Sequence, residues 1–173
     1  MFCSIEQINP KRPAALFEAD ITSLIQDHDA DHIRINDGDF TASVKHMASI
    51  SAAVKQVNER TGKTPSFYCF ARADEIDEDR ARLLETMNVR SVFIGYESGS
   101  DTMLRSMRKG TTREQNLAAT RLLKEHGIEV ICGGLVLGVE GETPETLKET
   151  LDFVRRLKAV GNVHALVATP MIP

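Results

Sequence analysis

The chain has 173 residues, 25 acidic against 21 basic side chains, a net charge of -4 and a pI near 5.7. One domain of roughly 100–200 residues is the default for that length, and it can bury a sizeable core. The charge balance excludes the electrostatic footprint of a DNA- or RNA-binding protein. Neither a run of about 20 apolar residues nor a basic-then-apolar leader is present, so no membrane segment or signal peptide is expected. Three widely spaced cysteines, Cys3, Cys69 and Cys132, argue against a disulfide scaffold and for a reducing cytoplasm.

The predicted elements alternate between helix and strand. Residues 13–27 place Leu16, Phe17, Ile21, Leu24 and Ile25 on one helical stripe, with Pro13 suited to a first turn. Residues 32–37 read as a short strand running into a Gly-Asp turn. A second helix spans 43–60, with Val44, Met47, Ile50, Val54 and Val57 at spacings of three and four, closed by Thr61-Gly62. Strand 66–74 is rich in aromatic residues, and Asp77 opens a helix through Met87. Strand 91–99 is apolar until Tyr96-Glu97-Ser98, helix 111–126 ends at Gly127, and strand 129–138 follows. Thr143 caps a helix that starts at Pro144 and runs to about Leu157, and 164–170 forms the last strand.

Apolar strands alternating with amphipathic helices predict an α/β fold of parallel strands wrapped by helices, either an open doubly wound sheet or part of a barrel. In both, ligands sit beyond the C-terminal ends of the strands. The residues expected there are Asn36-Asp37-Gly38, Arg72, Glu97-Ser98-Gly99, Gly138 to Glu142, and Thr169-Pro170. Glu97 ends an otherwise apolar strand, where a carboxylate needs a partner or a ligand. Other features have plainer readings. Arg72 has Asp74 or Glu97 as possible ion-pair partners, and Lys109-Gly110 reads equally as a helix C-terminus. Glu142 suits a capping role near the helix at Thr143. Asp27 to His32 offers oxygen and imidazole ligands, but joins a helix end to a strand start on the opposite face, and reads as a solvated loop. Cys69 and Cys132 read as small buried core residues.

Several of these segments, taken in order, resemble the radical S-adenosylmethionine (radical SAM) enzymes. Phe2-Cys3-Ser4 resembles the end of that family's Cys-x3-Cys-x-aromatic-Cys loop, so Cys3 corresponds to the third cluster cysteine. Asn36 to Thr41, Arg72 to Asp77, Ile94 to Ser100, Lys109-Gly110 and Gly134 to Thr143 match the segments after the second to fifth strands. Thr169-Pro170 stands where the sixth strand ends. The combination is most like the cobalamin-associated subgroup. The departures are the absent first two cysteines, Glu140 in place of a proline, and Gly38 where the subgroup often has a second Asp.

The resemblance implies a partial (βα)6 TIM-like barrel over residues 1–173, running from the third cluster cysteine to the sixth strand and cut at both edges. It implies a 4Fe-4S cluster on three thiolates, of which only Cys3 is in this chain, and S-adenosylmethionine cleaved reductively to a 5'-deoxyadenosyl radical. Asn36, Asp37 and Gly38 would then receive the methionine amino group, Arg72 and Lys109 its carboxylate, and Glu97 and Ser98 the ribose or methionine moiety. Gly134 and Gly138 would let backbone approach the adenine, and Thr169 and the segment at Phe2 would finish its pocket. A flavodoxin- or ferredoxin-like electron donor and an upstream cobalamin domain are implied in the same way. The chain alone is expected to be inactive. Two other readings of the residues stand beside this one. The first is a non-catalytic α/β scaffold holding a nucleotide-like ligand; the second is an unrelated barrel hydrolase or lyase using Glu97, Asp37 and Arg72.

Overall fold

The computed structural model describes residues 11–171. Five parallel strands lie side by side in the order of the sequence, β1 (His32–Arg34), β2 (Ser66–Ala71), β3 (Val89–Glu97), β4 (Glu129–Leu137) and β5 (Leu166–Pro170). Helix α1 (Ala14–His28) precedes β1, and α2 (Val44–Thr61), α3 (Glu78–Thr86), α4 (Asp101–Ser106), α5 (Arg113–Glu125) and α6 (Pro144–Val160) connect the strands. Sequential parallel neighbours joined by helices give a half-barrel, as the expected partial TIM-like architecture requires. No helix among the described residues is long and apolar enough to cross a membrane.

The strand residues sort cleanly by face. Phe67, Cys69, Val92, Ile94, Tyr96, Val130 and Leu135 are buried on the face that carries the helices. There they meet Met47, Ile50 and Val54 of α2, Leu84 of α3, Leu117 and Leu123 of α5, and Phe153 of α6 in one continuous core. Tyr96 is fully buried; its hydroxyl lies 2.7 Å from that of Thr120, and its ring packs edge-on against Phe153. The other strand face is concave and carries Arg34, Tyr68, Phe70, Phe93, Gly95, Glu97, Cys132, Gly134 and Val136, none of which is fully buried.

The helix ends follow the sequence closely. Ser43, Asp77, Thr112 and Thr143 each cap a helix by accepting a backbone N–H from three residues on, and Gly62 and Gly161 close α2 and α6 in left-handed conformation. The Asp27 to His32 loop lies at the opposite end of the strands from Glu97, as expected; its Asp29 pairs with Lys63.

Four details differ from the sequence reading. Strand 32–37 stops at Arg34, because the Asp37 carboxylate accepts the Asp39 N–H (3.0 Å) and turns the chain. Strand 66–74 stops at Ala71, where a 3-10 turn at Ala73–Glu75 begins. The short helix α4 went unpredicted, since six residues are too few to show a periodicity. On α1 only Ile21 and Ile25 are buried; Leu16 and Leu24 of the predicted stripe face solvent. Cys132 also departs from expectation, being half-buried on the concave face instead of in the core.

Close packing at Gly99 makes a sharp test of this architecture. A Cβ there would lie 2.3 Å from Phe153 Cβ and 2.7 Å from Thr150 Cα, whereas a Cβ at Gly38 meets nothing within 4 Å. Gly99→Ala is therefore expected to lower stability in urea denaturation by about 2 kcal/mol or more, as overpacking does. Gly38→Ala should change it little.

A second test uses the surface cluster in which His126 contacts Glu85 (2.6 Å) and Glu78 (3.4 Å). The hydrogen bond to Glu85, then the contact with Glu78, raise the His126 pKa above its usual 6.5. The stabilisation is thus fully present below about pH 6.5 and is lost as pH rises through the raised value. His126→Gln should flatten the stability profile over that window and leave it unchanged well above.

Candidate functional site

The C-terminal ends of β1 to β4 bring most of the sequence-predicted residues to one rim. The chain leaves β1 through Asn36, Asp37 and Gly38, and then enters a 3-10 turn at Phe40–Ala42. Thr41 in that turn is fully buried, and its hydroxyl joins two strand ends. It lies 2.7 Å from Glu75 Oε2 and 3.2 Å from Asp39 Oδ1, and it accepts the Arg72 backbone N–H at 3.2 Å. Arg80 of α3 donates to the Thr41 carbonyl at 2.9 Å.

Arg72, just past β2, is held as a fork. Its Nε and one terminal nitrogen donate to both carboxylate oxygens of Asp74, at 3.1 and 2.8 Å. Asp39 and Glu75 stand 3.9 and 4.0 Å from Nε. The Asp74 bond is the first cause holding the guanidinium above its ordinary pKa. The same terminal nitrogen donates to the Lys109 carbonyl at 3.3 Å, which ties the second strand end to the third. Of the two partners expected for Arg72, the structure selects Asp74.

Glu97 ends β3 with a φ of 64°, the left-handed region that a carboxylate residue adopts only under constraint. Its carboxylate folds back over the strand and accepts from Lys109 Nζ at 2.9 Å, with the two side chains only 14% and 12% exposed. Gly95 makes this fold possible. A Cβ there would come within 2.4 Å of Glu97 Oε1 and 3.4 Å of Lys109 Nζ. Gly95 was not among the residues singled out in the sequence, although it lies inside the matched Ile94 to Ser100 segment.

Ser98 is buried and turned away from the rim. Its hydroxyl lies 3.1 Å from that of Thr150 on α6 and accepts the Ser100 N–H, so it fixes the turn into α4. At β4 the space beside Gly134 is taken by the Phe93 ring, 3.1 Å from where a Cβ would stand. Gly138 has a φ of 76°, and its N–H is bonded to Glu142 at 2.7 Å, so Glu142 closes the β4 loop. Thr169 is exposed and pairs in register with Val136. Phe2 and Cys3 lie outside the described residues.

Asp39, Glu75 and Thr41 form a group that the sequence did not mark, apart from their place within matched segments. Burial, and then the nearby Glu75 carboxylate, push the Asp39 carboxyl up to about 7; Thr41 and Arg72 only partly oppose them. The Asp39 carboxyl is therefore expected to keep its proton toward neutral pH. Cys69 cannot serve as a ligand there. Burial drives its thiol far above its ordinary pKa, and it faces the helices while Cys132 faces the concave side. Among the described residues no group of three or more His, Cys, Asp or Glu could hold a metal ion.

A parallel half-barrel whose strand ends gather carboxylates, two cations and close backbone turns defines a class of α/β proteins that bind a charged ligand at the barrel mouth. The sequence profile of the Radical SAM superfamily matches residues 1–154, and the chain belongs to that superfamily. A putative methylthiotransferase of Methanocaldococcus jannaschii is 36% identical over 101 residues, 58% of this chain and 22% of its own length. An uncharacterized methyltransferase of Pyrococcus horikoshii is 28% identical over 138 residues, 80% of this chain and 29% of its own. The cobalamin-dependent radical enzyme OxsB superposes with a TM-score of 0.65 at 26% identity, over 79% of this chain and 21% of OxsB. TsrM of Kitasatospora setae, a radical S-adenosylmethionine methyltransferase bound to cobalamin and a [4Fe-4S] cluster, shares the fold with a TM-score of 0.75 at 22% identity, over 92% of this chain and 29% of TsrM. The chain thus spans less than a third of each of these proteins.

Asn36 and Asp37 carry acceptors of the kind that suits an ammonium, whereas the Arg72 fork is taken up by Asp74 and Lys109 Nζ by Glu97. A four-iron cluster does not fit the described cysteines, which point to opposite faces.

Two measurements probe the rim. The Asp39 carboxyl, followed by carbon-detected NMR, is expected to titrate near pH 7, and a midpoint near 4 would refute the raised value. Because the folded pKa is raised, the fold gains relative to the unfolded chain at low pH and loses that gain between about pH 4 and 7. Separately, Lys109→Met is expected to cost about 3–5 kcal/mol by stranding a buried carboxylate, and Lys109→Met with Glu97→Leu to recover most of it.

Proposed function

We propose that this chain is the S-adenosylmethionine-binding core of a radical SAM enzyme, a single unit over residues 1–173. The observation that carries the reading is the folded-back Glu97 carboxylate, held by Lys109 and admitted by Gly95, at the end of the strand whose Ile-Gly-Tyr-Glu-Ser-Gly-Ser segment matches the family. A reduced 4Fe-4S cluster beside the bound S-adenosylmethionine would supply the electron for reductive C–S cleavage at its sulfonium.

Asn36 and Asp37 orient the amino group, while the Asp37–Asp39 backbone bond keeps that turn closed. Arg72 is pre-positioned by Asp74 and by the Lys109 carbonyl, so its charge faces the carboxylate with little ordering left to do. Glu97 presents its second oxygen to the ribose. Ser98 acts through the turn that it braces, and Gly138, Thr169 and the backbone near Phe2 shape the adenine side. Gly134 serves chiefly by giving room to Phe93.

Cys3 contributes one cluster thiolate, and the remaining ligands come from outside this sequence. A flavodoxin- or ferredoxin-like protein is the proposed electron source in the cytoplasm. The names of OxsB and TsrM support a cobalamin domain in the parent protein.

Calorimetry with S-adenosylmethionine tests the reading. Glu97→Gln and Arg72→Gln are each expected to weaken binding about tenfold or more, the cost of losing a charge-assisted hydrogen bond. Gly95→Ala should weaken it as strongly by displacing the carboxylate. Unchanged binding in all three would overturn the assignment.

A further inference from the structure

The concave face below the rim has a composition that the core of a barrel does not need. Barrel interiors are filled by layers of branched aliphatic side chains. Here the strand positions are occupied by Tyr68, Phe70 and Phe93, all only half-buried, and by exposed Arg34. The three rings form a continuous aromatic floor, with centroids 5.7 Å apart for Tyr68–Phe70 and 5.4 Å for Phe70–Phe93. In the layer above, the Glu97 carboxylate and Lys109 Nζ lie over Gly95, and the Phe93 ring itself fills the space beside Gly134, so the floor lies directly beneath the ion pair of the rim.

Arg34 lies on this floor with its charge turned toward the mouth. It is in register with Tyr68, yet its guanidinium carbon is nearer the Phe70 centroid (4.9 Å) than that of Tyr68 (5.5 Å). Phe70 is two residues closer to the C-terminal strand ends, so the side chain leans in that direction. Among the described residues no carboxylate pairs with it, in contrast to Arg72, Arg80 and Arg156, each of which contacts one within 3 Å. Stacking on aromatic faces leaves the edge of a guanidinium, with its fork of donors, free to bind an anion.

We propose that Arg34 and the Tyr68–Phe70–Phe93 floor form the substrate's binding site, taking a molecule with a flat apolar body and a single carboxylate or phosphate. The body stacks on the rings and the anion pairs with Arg34. This inference rests on the reading of the rim as the cofactor site.

The test uses the full 173-residue chain and defined probes: indole-3-propionate, its neutral amide and phenyl phosphate, titrated by NMR. The acid is expected to shift the Tyr68, Phe70 and Phe93 resonances, and Arg34→Gln to weaken it about tenfold while leaving the amide unchanged. Retained ring-current dispersion in the variant shows that its floor is intact. Preference for phenyl phosphate over the acid, with the same Arg34 dependence, upholds the site and identifies the anion as a phosphate. Equal affinity of both anions for wild type and Arg34→Gln, or shifts confined to other residues, would overturn it. S-adenosylmethionine binding on the same samples separates the two readings. If the acid binds through Arg34 but S-adenosylmethionine does not bind, the cofactor reading fails and the anion site stands.

Discussion

The mouth of the half-barrel depends on one buried ion pair. Glu97 and Lys109 hold each other at 2.9 Å with little solvent access, where neither charge is tolerable without the other. The pair is reached only because Glu97 takes a left-handed backbone and Gly95 offers no Cβ to obstruct it. The carbonyl of the same Lys109 receives Arg72, and Arg72 in turn faces the Asp39–Glu75 pair over Thr41. Three strand ends are thus linked by polar contacts instead of by packing. Polar networks of this kind are specific because each member, left unpaired, is costly.

The helix-facing side of the sheet obeys the opposite rule. Its residues are apolar and fully buried, and its close approaches, Gly99 on Phe153 and Gly133 on Tyr96 and Leu166, are steric. The packed core lies there, while the concave side keeps its groups half-exposed. This division allows the acidic and basic groups of the rim to stay strained without unfolding the sheet.

Much of this was legible in the sequence. The alternation of periodicities, the helix starts at Asp77 and Thr143, and the position of polar residues at strand ends are local signals, and local physics realises them. The fork from Arg72 to Asp74 is also local, two residues apart. What sequence could not show was longer in range. Gly95 matters because of a side chain that folds back on it, and Gly134 because a ring from the neighbouring strand fills its space. Thr41 matters through Glu75, 34 residues away. Cys132 was misplaced for a related reason: pure alternation from Val130 puts it on the helix side.

That last displacement comes from an extra residue. Val92 pairs with Val130 but Phe93 with Cys132, so Ile131 is unmatched, and two pairs further on Gly95 and Glu97 flank an unmatched Tyr96. Each extra residue advances the phase of its strand by half a period, first on β4 and then on β3. The two strands therefore finish equal in length but with their inside and outside re-dealt between the bulges. A single deletion at Ile131 would exchange the faces of residues 132–137, sending Leu135 into the opening and Gly134 against the helices. The chain's tolerance of insertions and deletions is consequently uneven: loops can lengthen freely, whereas one residue at this point decides which atoms a ligand meets.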